Sequence, residues 1–213
     1  MVSKKKVSRS SGSTAASKGS ATKKVAKKVA TKKTSSKKVA SKKAPAKKAA
    51  QKKVAVKEQS ASPLLGKKAP SFRLPDQNGA IVSSASLKGE PYVLYFYPKD
   101  NTPGCTTEAC DFRDNIESFE ELGVRVIGVS PDSSASHSKF SEKHELPFTL
   151  LADTEKTLSE AYGVWALKKN YGREYMGIVR STYLIGKDGK IQAAWEKVRV
   201  KEHVAAILAE AEK

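Results

Sequence analysis

The only cysteines in this 213-residue chain are Cys105 and Cys110, five positions apart. Cysteine reacts as the thiolate, so the surroundings of each sulfur decide what it can do. Cys105 follows Thr102-Pro103-Gly104, and Thr106–Leu122 reads as a helix stopped by Gly123. Cys105 therefore sits where a loop meets a helix N-terminus. The unpaired first-turn amides and the positive end of the helix dipole there favour thiolate over thiol. Cys110 falls inside the same helix. Two helix positions five apart differ by about 7.5 Å in rise and about 140° in rotation, so their Cα atoms are roughly 8–9 Å apart. A disulfide needs less than about 7 Å. The pair either never bridges or bridges only when the first turns unwind. On spacing alone, two small buried hydrophobes are an equally open reading.

Other cysteine chemistry fits less well. Zinc needs further ligands, and His137, His144 and His203 show no ligand spacing with the two cysteines. A thioredoxin-type reductase has Cys-x-x-Cys, whereas four residues separate Cys105 and Cys110. No histidine stands in a recognisable nucleophile–base arrangement with either thiol.

The elements that must position these cysteines follow from the flanking pattern. Ser71–Leu74 and Ala80–Ser83 flank Asp76-Gln77-Asn78-Gly79, a hairpin signal. Tyr92–Tyr97 is a continuous aromatic and branched run, the mark of a strand buried on both faces. Pro98–Gly104 reads as a loop, and Arg125–Val129 as the next buried strand. Ser134–His144 reads as a helix, Phe148–Leu151 as a strand and Leu158–Tyr162 as a short helix. Thr182–Ile185 and Lys190–Trp195 flank Lys187-Asp188-Gly189-Lys190, a second hairpin, and His203–Glu212 closes the chain as an Ala-rich helix. Strand–helix alternation followed by a hairpin predicts an α/β fold: a mixed central sheet, parallel in the middle, with helices on both faces. That order is compatible with a thioredoxin-like fold.

Charge divides the chain. Residues 1–57 carry 20 Lys+Arg and no acidic residue; residues 58–213 carry 20 Lys+Arg and all 22 Asp+Glu. The split is +20 against −2. The first part has no aromatic residue and too little apolar surface to offset ordering entropy, so it is expected to be a disordered basic tail. Residues 58–213 are expected to form one domain with a real core. The tail repeats lysine pairs: Lys23 and Lys24, Lys27 and Lys28, Lys32 and Lys33, Lys37 and Lys38, Lys42 and Lys43, and Lys47 and Lys48, with a further pair from Lys52. As a helix, a five-residue step would smear these charges around the cylinder, which argues against a membrane-surface helix. No apolar run is long enough to span a bilayer, so no membrane association is expected. A lysine polycation instead suits non-specific contact with nucleic-acid phosphates. In composition the tail resembles those of linker histones and bacterial histone-like proteins. A solubility or targeting segment is the alternative.

The stretch Tyr95-Phe96-Tyr97-Pro98-Lys99-Asp100-Asn101-Thr102-Pro103-Gly104-Cys105-Thr106-Thr107-Glu108-Ala109-Cys110 resembles the active site of peroxiredoxins. It is most similar to the bacterioferritin-comigratory-protein, or peroxiredoxin-Q, subfamily. Pro98, Thr102 and Cys105 match its Pro-x-x-x-Thr-x-x-Cys pattern, and Cys110 matches its resolving position. Tyr162–Trp165 and Gly177–Ile185 look like later segments of the family, with Arg180 on its active-site arginine. The resemblance covers about residues 62–210 and leaves the tail outside.

It implies a thioredoxin-like fold and a thiol peroxidase acting on hydrogen peroxide and organic hydroperoxides. Cys105 would become the sulfenic acid, and Cys110 would close an intramolecular disulfide recycled by thioredoxin. Arg180 would stabilise the thiolate and the developing charge on peroxide. The Thr102 hydroxyl would accept from the peroxide and donate to the sulfur, and Pro98 would shape the pocket. No metal, haem or flavin cofactor is implied, and the subfamily is often monomeric. Two working thiols suit a reducing intracellular compartment. The tail would then place the chain at the nucleoid in a bacterium or in the nucleus of a eukaryote. A peroxide sensor using the same cysteines, and a histone-like DNA-binding protein with an anchoring α/β domain, are the competing functions.

Overall fold

A computed structural model describes residues 62–170 and 172–213. The tail lysine pairs lie outside the described residues. β3 (Tyr92–Phe96) is central in a five-stranded sheet ordered β5-β4-β3-β8-β9. β4 (Arg125–Ser130) and β5 (Thr149–Ala152) run parallel to it; β8 (Ser181–Ile185) and β9 (Ile191–Glu196) form the antiparallel side. This is the mixed thioredoxin-like sheet expected from the alternation.

β3 is buried at every position because both faces are covered. Successive side chains alternate: Val93 and Tyr95 enter one core, Tyr92, Leu94 and Phe96 the other. The first core takes Phe112, Phe119 and Phe140 from α1 (Pro103–Asp114), α2 (Ile116–Glu121) and α3 (Ser134–His144), and Val204 and Ile207 from α5 (His203–Ala211). Tyr95 stacks on Phe112 with centroids 4.6 Å apart, which docks α1 on the sheet. Burying a ring of this size contributes roughly 2–3 kcal/mol. Gly128 stands beside Tyr95 in the register, and a Cβ there would come within 2.7 Å of the Tyr95 hydroxyl. The glycine makes the room that the stacked ring occupies. α4 (Thr157–Ala161) supplies Leu158 to the opposite core.

Two expectations change. The helix expected over Thr106–Leu122 begins earlier, at Pro103, and divides into α1 and α2. Pro103, with its fixed φ and no N–H to leave unpaired, suits the first helical position after the extended Thr102. The break is at Asn115, whose side-chain Nδ2 donates to the Asp111 carbonyl at 2.8 Å and competes with the continuing backbone ladder. The hairpin of β6 (Trp165–Asn170) and β7 (Arg173–Ile178) was not anticipated. Its Leu167, Tyr175 and Met176 are exposed, so burial imprints no alternation on it. The first hairpin is present as β1 (Arg73–Pro75) and β2 (Ile81–Ser83). α3 keeps its expected bounds. Among the described residues, no helix is long and apolar enough to cross a membrane.

Candidate active site

Cys105 is the third residue of α1 and is buried, 1% exposed. The amides of Gly104 and Cys105 belong to the first turn, where the helix offers no acceptor. Arg180 reaches the sulfur from the link between β7 and β8, its Nη2 lying 3.1 Å from Cys105 Sγ. Two backbone bonds hold that link: the Val198 N–H donates to the Arg180 carbonyl at 3.0 Å, and the Val179 N–H to the Val164 carbonyl at 2.8 Å. The other arm of the guanidinium, Nη1, donates to Glu108 Oε2. One arginine thus clamps the thiol and a carboxylate on the same helix, in the forked geometry that arginine favours.

Glu108 is fully buried, and its Oε1 has no hydrogen-bond partner among the described residues. Burial pushes its carboxyl up to about 7 although the Arg180 charge and hydrogen bond pull it down; Asp111 adds to the rise. Burial works against the Arg180 charge as well, but Glu108 and Cys105 outweigh it and hold the guanidinium above its ordinary value.

Of the sequence-predicted residues, the fold brings Cys105 and Arg180 into contact. Thr102 is the residue preceding α1 and is half-buried. Its hydroxyl donates to the Lys99 carbonyl at 3.1 Å, so the proton expected to point at the sulfur is used within the loop. The oxygen keeps its capacity to accept. Pro98, half-buried, follows β3 at the other end of that loop. Cys110 lies further along α1, half-buried, and both cysteines are free thiols. Glu108 is a member of the site that the sequence reading did not single out. With α1 starting at Pro103 it lies beyond the first turn, and its place is beneath Arg180. The available signal was its position three residues after Cys105, which puts both on one helical face.

The profile of the AhpC/TSA family matches residues 65–194. This chain belongs to the AhpC/TSA family. Within it the chain is of the Bcp/PrxQ type of peroxiredoxin, and is therefore a peroxidase. It is 60% identical over 144 residues to peroxiredoxin Bcp of Bacillus subtilis, covering 68% of this chain and 92% of that one. The bacterioferritin comigratory protein of Xanthomonas campestris, solved as a trapped intermediate/ligand complex to explain alkyl peroxide reduction, superposes with TM-score 0.64. It shares 39% identity over 66% of this chain and 90% of its own. A mutant of Xylella fastidiosa PrxQ gives TM-score 0.66 at 34% identity, over 70% of this chain and 94% of its own. In this Bcp/PrxQ-type peroxiredoxin, the Arg180–Cys105 contact is where the fold concentrates cationic donors on a thiol.

Proposed function

We propose that Cys105 is the peroxidatic cysteine of a two-cysteine cycle on one chain, acting on hydrogen peroxide and organic hydroperoxides. The observation that carries this is the Cys105 sulfur in the first turn of α1 with Arg180 Nη2 3.1 Å away. The thiolate attacks one peroxide oxygen. An S–O bond forms, the O–O bond breaks, and the electron pair leaves on the second oxygen, which takes a proton and departs as water or alcohol. Cys105 is left as sulfenic acid, oxidised by two electrons. Arg180 and the first-turn amides stabilise the charge that develops on the oxygens. The Thr102 oxygen accepts from the incoming hydroperoxide, and Pro98 screens the site from water.

Cys110 then condenses with the sulfenic acid; the S–S bond forms as water leaves. Helix geometry keeps positions five apart too distant for this while α1 is wound, so condensation requires its first turns to open. Thioredoxin, a dithiol, restores both thiols. The catalytic domain spans residues 58–213. Residues 1–57, with a charge of +20, form a separate segment that holds the enzyme near nucleic acid. The compartment is intracellular and reducing, the nucleoid in a bacterial cell, and the chain works as a monomer.

NADPH oxidation coupled through thioredoxin reductase and thioredoxin tests the cycle. Peroxide should drive turnover in the wild type and none in Cys105→Ser. Turnover retained in Cys105→Ser would refute the assignment. One Cys105–Cys110 disulfide per peroxide without turnover would favour a sensor.

A further inference from the structure

The loop from Pro98 to Thr102 is anchored by a polar cluster that contacts no reacting atom. Its Asp100 is buried. The carboxylate accepts from the Tyr97 hydroxyl at 2.7 Å, from Ser136 Oγ at 2.6 Å and from His137 Nδ1 at 2.9 Å. The Asp100 N–H donates to Asp132 Oδ2 at 2.8 Å, which also accepts from Ser130 Oγ at 2.9 Å. His137, in α3, is completely buried, and its Nε2 lies 3.2 Å from the Leu151 carbonyl oxygen. Carboxylate and carbonyl are both acceptors, and each ring nitrogen of His137 faces one of them. Burial alone would raise the Asp100 carboxyl. The His137, Ser136 and Tyr97 hydrogen bonds outweigh it and hold the group below its ordinary value.

The next residue shows what the anchor sustains. Asn101 has φ +55°, a left-handed conformation that few non-glycine residues adopt, asparagine more readily than most. Its side chain accepts from Lys143 Nζ at 3.3 Å, again from α3. Thr102 follows directly and is the N-cap residue of the helix that carries Cys105. α3 thus holds Asp100 and Asn101, the residue at the left-handed turn, two residues before the first helical position.

We propose that His137 is a positioning residue for peroxide reduction, fixing through Asp100 the loop that sets Pro98, Thr102 and the first turn of α1. The proposal rests on Cys105 being the peroxidatic thiol. Loss of the pair lets the Asn101 turn relax and the first turn of α1 fray. The two chemical steps then respond in opposite directions. Sulfenate formation, which needs the wound turn, slows. Disulfide formation, which needs the turn open, quickens. A uniform loss of stability in a chain that remains folded produces no such split.

Rapid-quench mass spectrometry of the full chain after hydrogen peroxide separates the steps, with the Cys105 sulfenate trapped chemically and the Cys105–Cys110 disulfide counted directly. The variants are His137→Gln, Ser136→Ala and, as a stability control in the opposite core, Ile185→Val. His137→Gln should form sulfenate at least about tenfold more slowly, within the range that small misplacements cost, and close the disulfide faster than wild type. Ser136→Ala, which removes one donor, should shift both rates in the same directions by less. Ile185→Val should leave both rates unchanged. Wild-type rates in folded His137→Gln, or equal slowing in Ile185→Val, would overturn the proposal. If His137→Gln fails to fold, Ser136→Ala decides, and wild-type rates there overturn it. A wild-type chain that forms no Cys105 sulfenate removes the peroxidatic assignment itself, and this proposal with it.

Discussion

Replacing Glu108 by glutamine separates the burial of its carboxylate from its pairing with Arg180. Glutamine keeps the shape and mimics the protonated acid. Burial lifts the Glu108 carboxyl from its ordinary 4.5 to about 7 despite the guanidinium. An acid raised on folding binds more protons folded than unfolded between those values. Its stabilising contribution is full below 4.5 and is lost as pH rises through 7. At about 1.4 kcal/mol per tenfold change in proton affinity, the gap corresponds to about 3 kcal/mol. Wild type and Glu108→Gln should therefore have similar stability near pH 4, and at about pH 8 the variant should be more stable by about 3 kcal/mol. For a domain of this size that is roughly 6–12 °C in melting temperature. His203 works in the opposite sense: burial, then the Arg180 charge, draws it down to about 4, so its contribution is lost as pH falls from 6.5 through that value. It is common to both chains and cancels in the difference. Urea unfolding followed by the fluorescence of Trp165 and Trp195 at several pH values gives the difference curve. Peroxide consumption should fall in the more stable variant, because Arg180 loses the carboxylate that orients it toward Cys105. A variant less stable than wild type at about pH 8 would refute the reasoning, showing that the ion pair outweighs the burial of the charge.

Cys110→Ser should consume one peroxide per chain and rest at the Cys105 sulfenic acid, and a second equivalent of peroxide should carry it to sulfinic acid, each step recorded by intact mass. Continued thioredoxin-supported turnover would remove Cys110 from the resolving role. Arg180→Lys keeps the charge but cannot hold thiol and carboxylate at once, so sulfenate formation should slow by about a hundredfold. A rate near wild type would show that point charge alone suffices. Deleting residues 1–57 should leave peroxide turnover intact and abolish DNA binding. In the full chain, if about six lysines contact phosphates, raising salt from 50 to 200 mM should weaken that binding on the order of 1,000-fold. A flat salt response would count against the tail as a phosphate binder.

That a helix opens close to Cys105 was legible because turn and helix signals are local, but its first residue was not: α1 starts at Pro103, three residues before the expected Thr106. The buried run Tyr92–Phe96 and the Asp188-Gly189 turn between β8 and β9 were legible for the same reason. The division at Asn115 was not, since an asparagine side chain can either bond its own helix or point to solvent, and only the folded chain shows it bonded to the Asp111 carbonyl. The β6–β7 hairpin escaped because its exposed Leu167 and Met176 carry no burial period.

The sequence by itself determined that a thiol stands at a helix N-terminus with a second one five residues on, in an α/β chain behind a polycationic segment. The resemblance to a family marked Arg180 in advance. Only the tertiary structure decided that Arg180 meets Cys105 across 75 positions and Glu108 across 72, and that His137 holds Asp100 across 37. Capping and turn formation depend on residues a few positions apart. Whether a charge is buried, and what it is paired with, depends on the closing of the sheet and the docking of α1 and α3 upon it.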